Sequence, residues 1–370
     1  MRCEGVPAAY TFTKPGMEVA VMVTIVDDFA IAEKGSAITE ATIQELRKEF
    51  KDLSIQRNPS SFSGFKITRN RSTRSLTISM PQKIVEATRR YLPEAFEGAK
   101  KVDVLKGEKL MRVADGMTLD AGTQATKRLD TKQKTTQMII GSLKFIEKVM
   151  PELSLPLHRL SCIMSAPPDE ALAVARGVLH RAYTNMDHGI TFGGIDTDIT
   201  PTDENVGIEG KAPYYLTASA DATWNDGRNI YGVMLMYNHG AILHMTKKIR
   251  PIVESSHHSE AIATCKAVEQ VMYAREVLRA LGEPQTMPTK IATDNRANLL
   301  VANDATSAKK AKFFLRQYHI LQRRIDEGDI AVTKLPTNLM PADFLTKWLS
   351  GKKLKKSVEY AINSTATAIL

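Results

Sequence analysis

The stretch "YYLTASADATWND", residues 214–226, runs an apolar strand pattern into a single acid, Asp221, at the point where the strand is expected to end. Working outward, "NIYGVMLMYNHGAILHMTKK" (229–248) reads as two further apolar strands joined as a hairpin through Asn238 and Gly240. Ala263, Ala267, Val271, Leu278 and Leu281 then recur at helical spacing, predicting a long helix from Ser259 to Gly282 with Glu260 in its first turn. "TKIATD" (289–294) is a short strand ending in Asp294, and "SAKKAKFFLRQYHILQRRI" (307–325) is a helix. "DIAVTKLP" (329–336) is a strand, and "PADFLTKWL" (341–349) a short helix with Asp343 in its first turn. The order βββαβαβα predicts a mixed α/β layer.

Asp221, Glu260, Asp294 and Asp343 therefore all lie at or near element ends. Singly, each has an ordinary structural explanation: an acid after a strand is a common turn residue, and an acid in a helix's first turn complements the macrodipole. Jointly they converge if the first and fourth strands are neighbours. Clustered carboxylates stay ionised only with positive charge between them, which magnesium or manganese would supply. Two such ions about 4 Å apart suit phosphodiester hydrolysis.

Composition narrows the field. The chain has 370 residues, enough for two or three cores, and 50 Lys and Arg against 41 Asp and Glu give a net charge of +9. That balance favours polyanions such as nucleic acid as partners. Cys3, Cys162 and Cys265 are odd in number, scattered and without CxxC spacing, which argues against a disulfide framework and a zinc site. No apolar run approaches membrane-spanning length, so an intracellular protein, cytoplasmic or nuclear and without a membrane partner, is expected.

Upstream, "VAVMVTIV" (19–26) is a buried-strand pattern leading into "VDDFAIAEKG" (26–35), a hairpin with Asp27 and Asp28 at its tip. Ile43, Leu46, Phe50 and Leu53 follow at helical spacing, with Thr42 and Glu45 placed like a capping box. "FSGFKITRN", "SLTISM" and "PQKIVEATRRYL" complete a βαββα segment. The expected organisation is 1–93 for this segment, 94–134 for a mobile connection, 135–190 for a helical connection and 191–212 for a polar linker. Residues 213–350 form the acid-bearing domain and 351–370 a basic tail.

The motifs "SADATWND", "SSHHSEA", "TDNRAN" and "ADFLTK" together resemble the ribonuclease H domain of copia-type LTR-retrotransposon Pol polyproteins. "VTIVDDFAIA" resembles the paired-aspartate hairpin of the reverse transcriptase palm in the same polyproteins, with Ile25 where the family usually has Tyr. The resemblance implies an α/β (α+β overall) chain. A partial palm and thumb and an all-helical connection would precede a ribonuclease H-like mixed five-stranded sheet with flanking helices. It also implies that Asp221, Glu260, Asp294 and Asp343 are catalytic ligands of Mg2+ or Mn2+, acting on RNA/DNA hybrids. Asp27 and Asp28 would be a remnant of the polymerase motif. Polymerase activity is not expected from this chain alone, though an upstream polyprotein segment is a candidate partner.

Two other features have competing readings. Lys309, Lys310, Lys312, Arg316, Arg323 and Arg324 recur along one predicted helix, either as a solvated face or as phosphate contacts on nucleic acid. Adjacent His257 and His258 lack ligand spacing and read as a solvated turn, while Trp224 reads as core. The alternative to a nuclease is a catalytically inactive nucleic-acid-binding remnant of a decayed retroelement.

Overall fold

The structure is a computed structural model that describes residues 9–12, 20–25, 28–33, 36–50, 52–96, 102–117, 129–194, 215–224, 229–295, 315–349 and 351–364. Strands β1 (Ala9–Phe12), β2 (Ala20–Ile25) and β3 (Asp28–Glu33) form an antiparallel sheet in the order β1-β2-β3. Helix α1 (Ser36–Glu49) follows, with Phe29 and Phe50 rings 6.0 Å apart. Because α1 begins at Ser36, Thr42 and Glu45 lie inside it and do not cap it. Asp28 is exposed on β3, and Asp27 lies outside the described residues.

A second sheet has the order β4-β5-β6-β7, built from β4 (Ser61–Phe62), β5 (Phe65–Asn70), β6 (Ser75–Ser79) and β7 (Gly189–Gly193). Among the described residues between β6 and β7 lie the α-helices α2 (Pro81–Tyr91), α3 (Gly107–Met117), α4 (Thr131–Ile146), α5 (Ser154–Cys162) and α6 (Glu170–Thr184). They share one core through Ile84, Leu110, Ile139, Leu143, Leu160 and Val178. Each such aliphatic side chain contributes about 2–5 kcal/mol against truncation to Ala. Two expectations from the sequence change at this point. The stretch expected to be a mobile connection carries α3, whose Leu110, Ala114 and Met117 are buried. The stretch expected to open a linker at 191 is still strand β7, and residues 195–214 lie outside the described residues.

The third sheet carries the acids. Strands β8 (Thr217–Thr223), β9 (Ile230–Tyr237), β10 (Gly240–Lys248), β11 (Thr289–Thr293) and β12 (Ile330–Lys334) lie in the order β10-β9-β8-β11-β12. The first three are antiparallel, and β11 is parallel to both β8 and β12. This is the mixed five-stranded sheet with flanking helices that the resemblance implied. Alternation divides its faces. Ala218, Ala220, Ala222, Val233 and Leu235 meet α7 (Ser256–Ala280), while Met234 and Met236 meet a 3-10 turn (Pro341–Leu345) and α9 (Gly351–Ile362). Helix α8 (Leu315–Asp326) covers the α7 side through Tyr318 and Leu321. The segment from residue 351, expected to be a basic tail, is thus a helix that buries Val358, Tyr360, Ala361 and Ile362.

The β9–β10 turn uses Asn238 and His239, both at positive φ (48° and 72°), so Gly240 opens the strand and does not shape the turn. Gly240 is needed for another reason: a Cβ there would lie 2.8 Å from the Thr191 carbonyl oxygen of β7. Ser154 Oγ and His244 Nδ1, 3.0 Å apart, also join the helical core to β10. Among the described residues no helix is long and apolar enough to cross a membrane.

Candidate metal centre

Asp221 is the fifth of seven residues in β8, two short of the strand end expected from sequence. Its side chain falls on the face opposite Ala220 and Ala222, and it is fully buried. Strand β11 runs parallel to β8 with Ala292 opposite Ser219, so two residues on, Asp294 comes level with Asp221. Asp294 follows the strand directly, and Thr293 Oγ1 accepts from Asn295 N at 3.2 Å to shape the turn there.

Glu260 reaches the pair from α7. Ser255 caps that helix, its Oγ accepting from His258 N at 3.2 Å, so the helix starts earlier than its apolar period suggests and Glu260 falls just after the first turn. His257 and His258 are thereby helical, with His258 buried, where the sequence suggested a solvated turn. Ala222 N donates to Glu260 Oε1 at 3.3 Å. Oε2 of the same carboxylate is buried with no hydrogen-bond partner among the described residues. One oxygen each from Asp221, Glu260 and Asp294 lie within 4.8 Å of one another.

The fourth acid behaves differently. Asp343, in the 3-10 turn, is 1% exposed, and lysines engage both its oxygens: Lys347 Nζ lies 3.2 Å from Oδ1, and Lys353 of α9 donates to Oδ2. Lys347 Nζ is also 3.0 Å from Asp221 Oδ1, while Thr346 Oγ1 donates to Asp221 Oδ2. The three-acid cluster therefore leaves Asp343 out and connects to it through Lys347.

The electrostatics follow from this placement. Burial, together with the Asp221 and Asp294 charges, pushes Glu260 up to about 9. Burial also raises Asp221 to about 6, against the pull of Lys347 and Thr346. Partial burial works against the Lys347 ammonium, yet the two aspartates outweigh it and hold its pKa up. Like charges crowded in a buried space with an orphaned oxygen suit a hard cation with oxygen ligands, so the donor set fits magnesium or manganese.

The other candidates separate. Arg323 and Arg324 pair with Glu327 at 2.8 and 2.7 Å, and Arg324 also with Asp329 at 3.0 Å, while Arg316 is exposed. Lys309, Lys310 and Lys312 lie outside the described residues. Trp224 is 54% exposed, not core, with its indole N–H donating to the Val253 carbonyl at 3.3 Å. Sequence reasoning gave neither Lys347 nor Lys353 a place at the acids, reading the second only as part of the basic run "GKKLKK" (351–356). The Asp343–Lys347 spacing of four was a readable signal, whereas the arrival of Lys353 depends on α9.

No protein-family model matches the chain. The retrovirus-related Pol polyproteins from transposons RE2 and RE1 of Arabidopsis thaliana are 23% and 22% identical to it over 339 residues, 90% of the chain. That from transposon TNT 1-94 of Nicotiana tabacum is 21% identical over the same share. The chain spans about a fifth of the length of the Arabidopsis relatives, 21%, and 24% of the tobacco one. A solved structure of the foamy viral protease-reverse transcriptase dRH in complex with double-stranded DNA aligns with a TM-score of 0.41 and 10% identity, covering 85% of this chain and 46% of that one. Over nine tenths of its length, the chain is similar to the retrovirus-related Pol polyproteins of copia-type transposons.

Proposed function

We propose that the chain hydrolyses the RNA strand of RNA/DNA hybrids at a divalent-cation site made by Asp221, Glu260 and Asp294. The observation that carries this reading is the convergence of three carboxylate oxygens within 4.8 Å, one acid being buried with an orphaned oxygen. The likeness to Pol polyproteins, the four ribonuclease H-type motifs and the net charge of +9 support the choice of substrate. When bound, magnesium or manganese supplies Lewis-acid polarisation of the phosphodiester and a nucleophile at neutral pH.

The protein's own groups do the rest. Asp221, held by Lys347 and Thr346, and Asp294, held by the β11 turn, fix the ligand oxygens. Glu260, whose Oε2 has no hydrogen-bond partner among the described residues, would help orient the attacking water. Lys347 and Lys353 add positive charge on the Asp343 side, where a phosphate oxygen gains from it. Asp27 and Asp28 take no part in this hydrolysis.

A labelled RNA/DNA hybrid incubated with the full chain and magnesium tests the reading. Cleavage of the RNA strand that disappears with EDTA and with Asp294→Asn is expected; no cleavage, or undiminished cleavage by the variant, counts against it.

One observation favours the second reading, an inactive nucleic-acid-binding remnant: the engagement of Asp343 by two lysines. It predicts hybrid retention on a filter that is independent of magnesium and unaccompanied by cleavage.

A further inference from the structure

We infer that Lys347, backed by Lys353, is a built-in cation occupying the place between Asp221 and Asp343, so that the resting chain takes one divalent ion and not two. The inference rests on the reading of Asp221, Glu260 and Asp294 as a cation site. Lys347 Nζ sits 3.0 Å from Asp221 Oδ1 and 3.2 Å from Asp343 Oδ1, a position from which it bridges the two carboxylates as a shared metal ion would. Lys353 takes the remaining Asp343 oxygen, so an ammonium stands at each oxygen of that acid, whereas Asp221 faces one ammonium and a neutral hydroxyl.

The bridging ammonium is positioned by its neighbours. Lys347 follows directly on Thr346, whose hydroxyl donates to Asp221 and whose amide donates to the Asp343 carbonyl at 3.0 Å. Lys353 Nζ also donates to the Thr337 carbonyl at 3.2 Å, and its helix α9 is anchored by buried Val358, Ala361 and Ile362. Both amines are thus placed by backbone and core.

Charge balance gives the stoichiometry. With all four carboxylates ionised, as ligation requires, four negative charges against two ammoniums leave a deficit of two positive charges, which one divalent ion cancels. A second ion would leave the cluster with two surplus positive charges, beside two aspartates that are 1% exposed or less. Uncompensated charge at that depth is strongly unfavourable. The amines therefore exclude the second ion both by position and by charge. The three-acid cluster, where Glu260 Oε2 has no partner among the described residues, is left as the place that gains from an ion.

The test is a titration of the full chain with Mn2+, in the absence of nucleic acid, followed by the loss of the free-ion EPR signal. One Mn2+ per chain is expected, falling to none with Asp294→Asn and remaining one with Asp343→Asn. The double variant Lys347→Met/Lys353→Met is expected to take two. Two ions on the unaltered chain, or loss of the ion with Asp343→Asn, overturns the inference while leaving the cation site standing. A folded double variant that still takes one ion overturns it as well. No ion on the unaltered chain removes the cation site itself and the inference with it. Should the double variant fail to fold, the unaltered chain and Asp343→Asn decide the matter, and neither depends on nuclease activity.

Discussion

Lys347 and Asp221, 126 residues apart in sequence, meet at 3.0 Å, and the same ammonium lies 3.2 Å from Asp343. One side chain thereby ties the turn that follows the last strand to the central strand of the sheet. Its charge pulls against the burial that raises Asp221.

Replacing Lys347 by Met should therefore expose the cost of the acids it offsets. Breaking a buried ion pair costs about 3–5 kcal/mol, and because the Lys347 side chain is 38% exposed a smaller loss, about 1–3 kcal/mol, is expected. Thermal unfolding in EDTA measures it. Added Mn2+ should recover most of the loss; an unchanged midpoint in EDTA would show that solvent already screens the pair.

Stability of the metal-free chain should fall as pH rises. In the fold Glu260 titrates at about 9 against 4.5 ordinarily, and Asp221 at about 6 against 3.8. Between each pair of values the folded chain holds more protons than the unfolded one, so every rise in pH favours unfolding. The penalty is absent below the ordinary values and fully developed above the raised ones. Denaturation midpoints in EDTA should decline between about pH 5 and about pH 9, and saturating Mn2+ or Glu260→Gln should flatten the decline. A midpoint that climbs over this range would contradict the assignment.

Gly232 lies opposite Asp221 in the β8–β9 register, and a Cβ there would sit 2.6 Å from Leu345 Cβ and 3.0 Å from Thr346 Cγ2. Gly232→Ala should push the turn carrying Thr346 and Lys347 off Asp221, at about 1–3 kcal/mol. The calorimetric midpoint and the Mn2+ affinity should fall together, with Leu345→Gly, which removes the Cβ that is met, restoring part of the affinity. Loss of stability without loss of affinity would separate the turn from the site.

Asp115 on α3 accepts from Trp348 Nε1 at 3.0 Å and pairs with the largely buried Arg159 at 3.1 Å. Asp115→Ala should leave Arg159 without its partner, costing about 1–3 kcal/mol. It should also loosen the residue next to Lys347, so weaker Mn2+ binding is expected in addition to a lower unfolding midpoint. An unaltered ion affinity would show that the helical core and the acids are independent.

The sequence was legible wherever a local rule operates. Alternating and helical periods located the strands and α7, because side-chain direction in these elements depends on spacing alone. The end of α7 was clear from Gly282, while its start was displaced because Ser255, not the apolar period, nucleates the first turn. Helix α3 was read as connection since its short apolar stripe gains meaning only against α5 and α6. Strand β7 was missed for a similar reason, as its partner β6 lies more than a hundred residues earlier.

At the acids the division is sharper. The sequence alone determined which carboxylates lie near element ends, and hence that Asp221, Glu260 and Asp294 were able to meet. Only the tertiary structure decided that Lys347 would reach Asp221 and that Lys353 would join it on Asp343. Parallel pairing of β11 with β8 and the docking of α9 are set by burial of apolar faces between distant segments. The ammoniums follow the backbone that this burial puts in place.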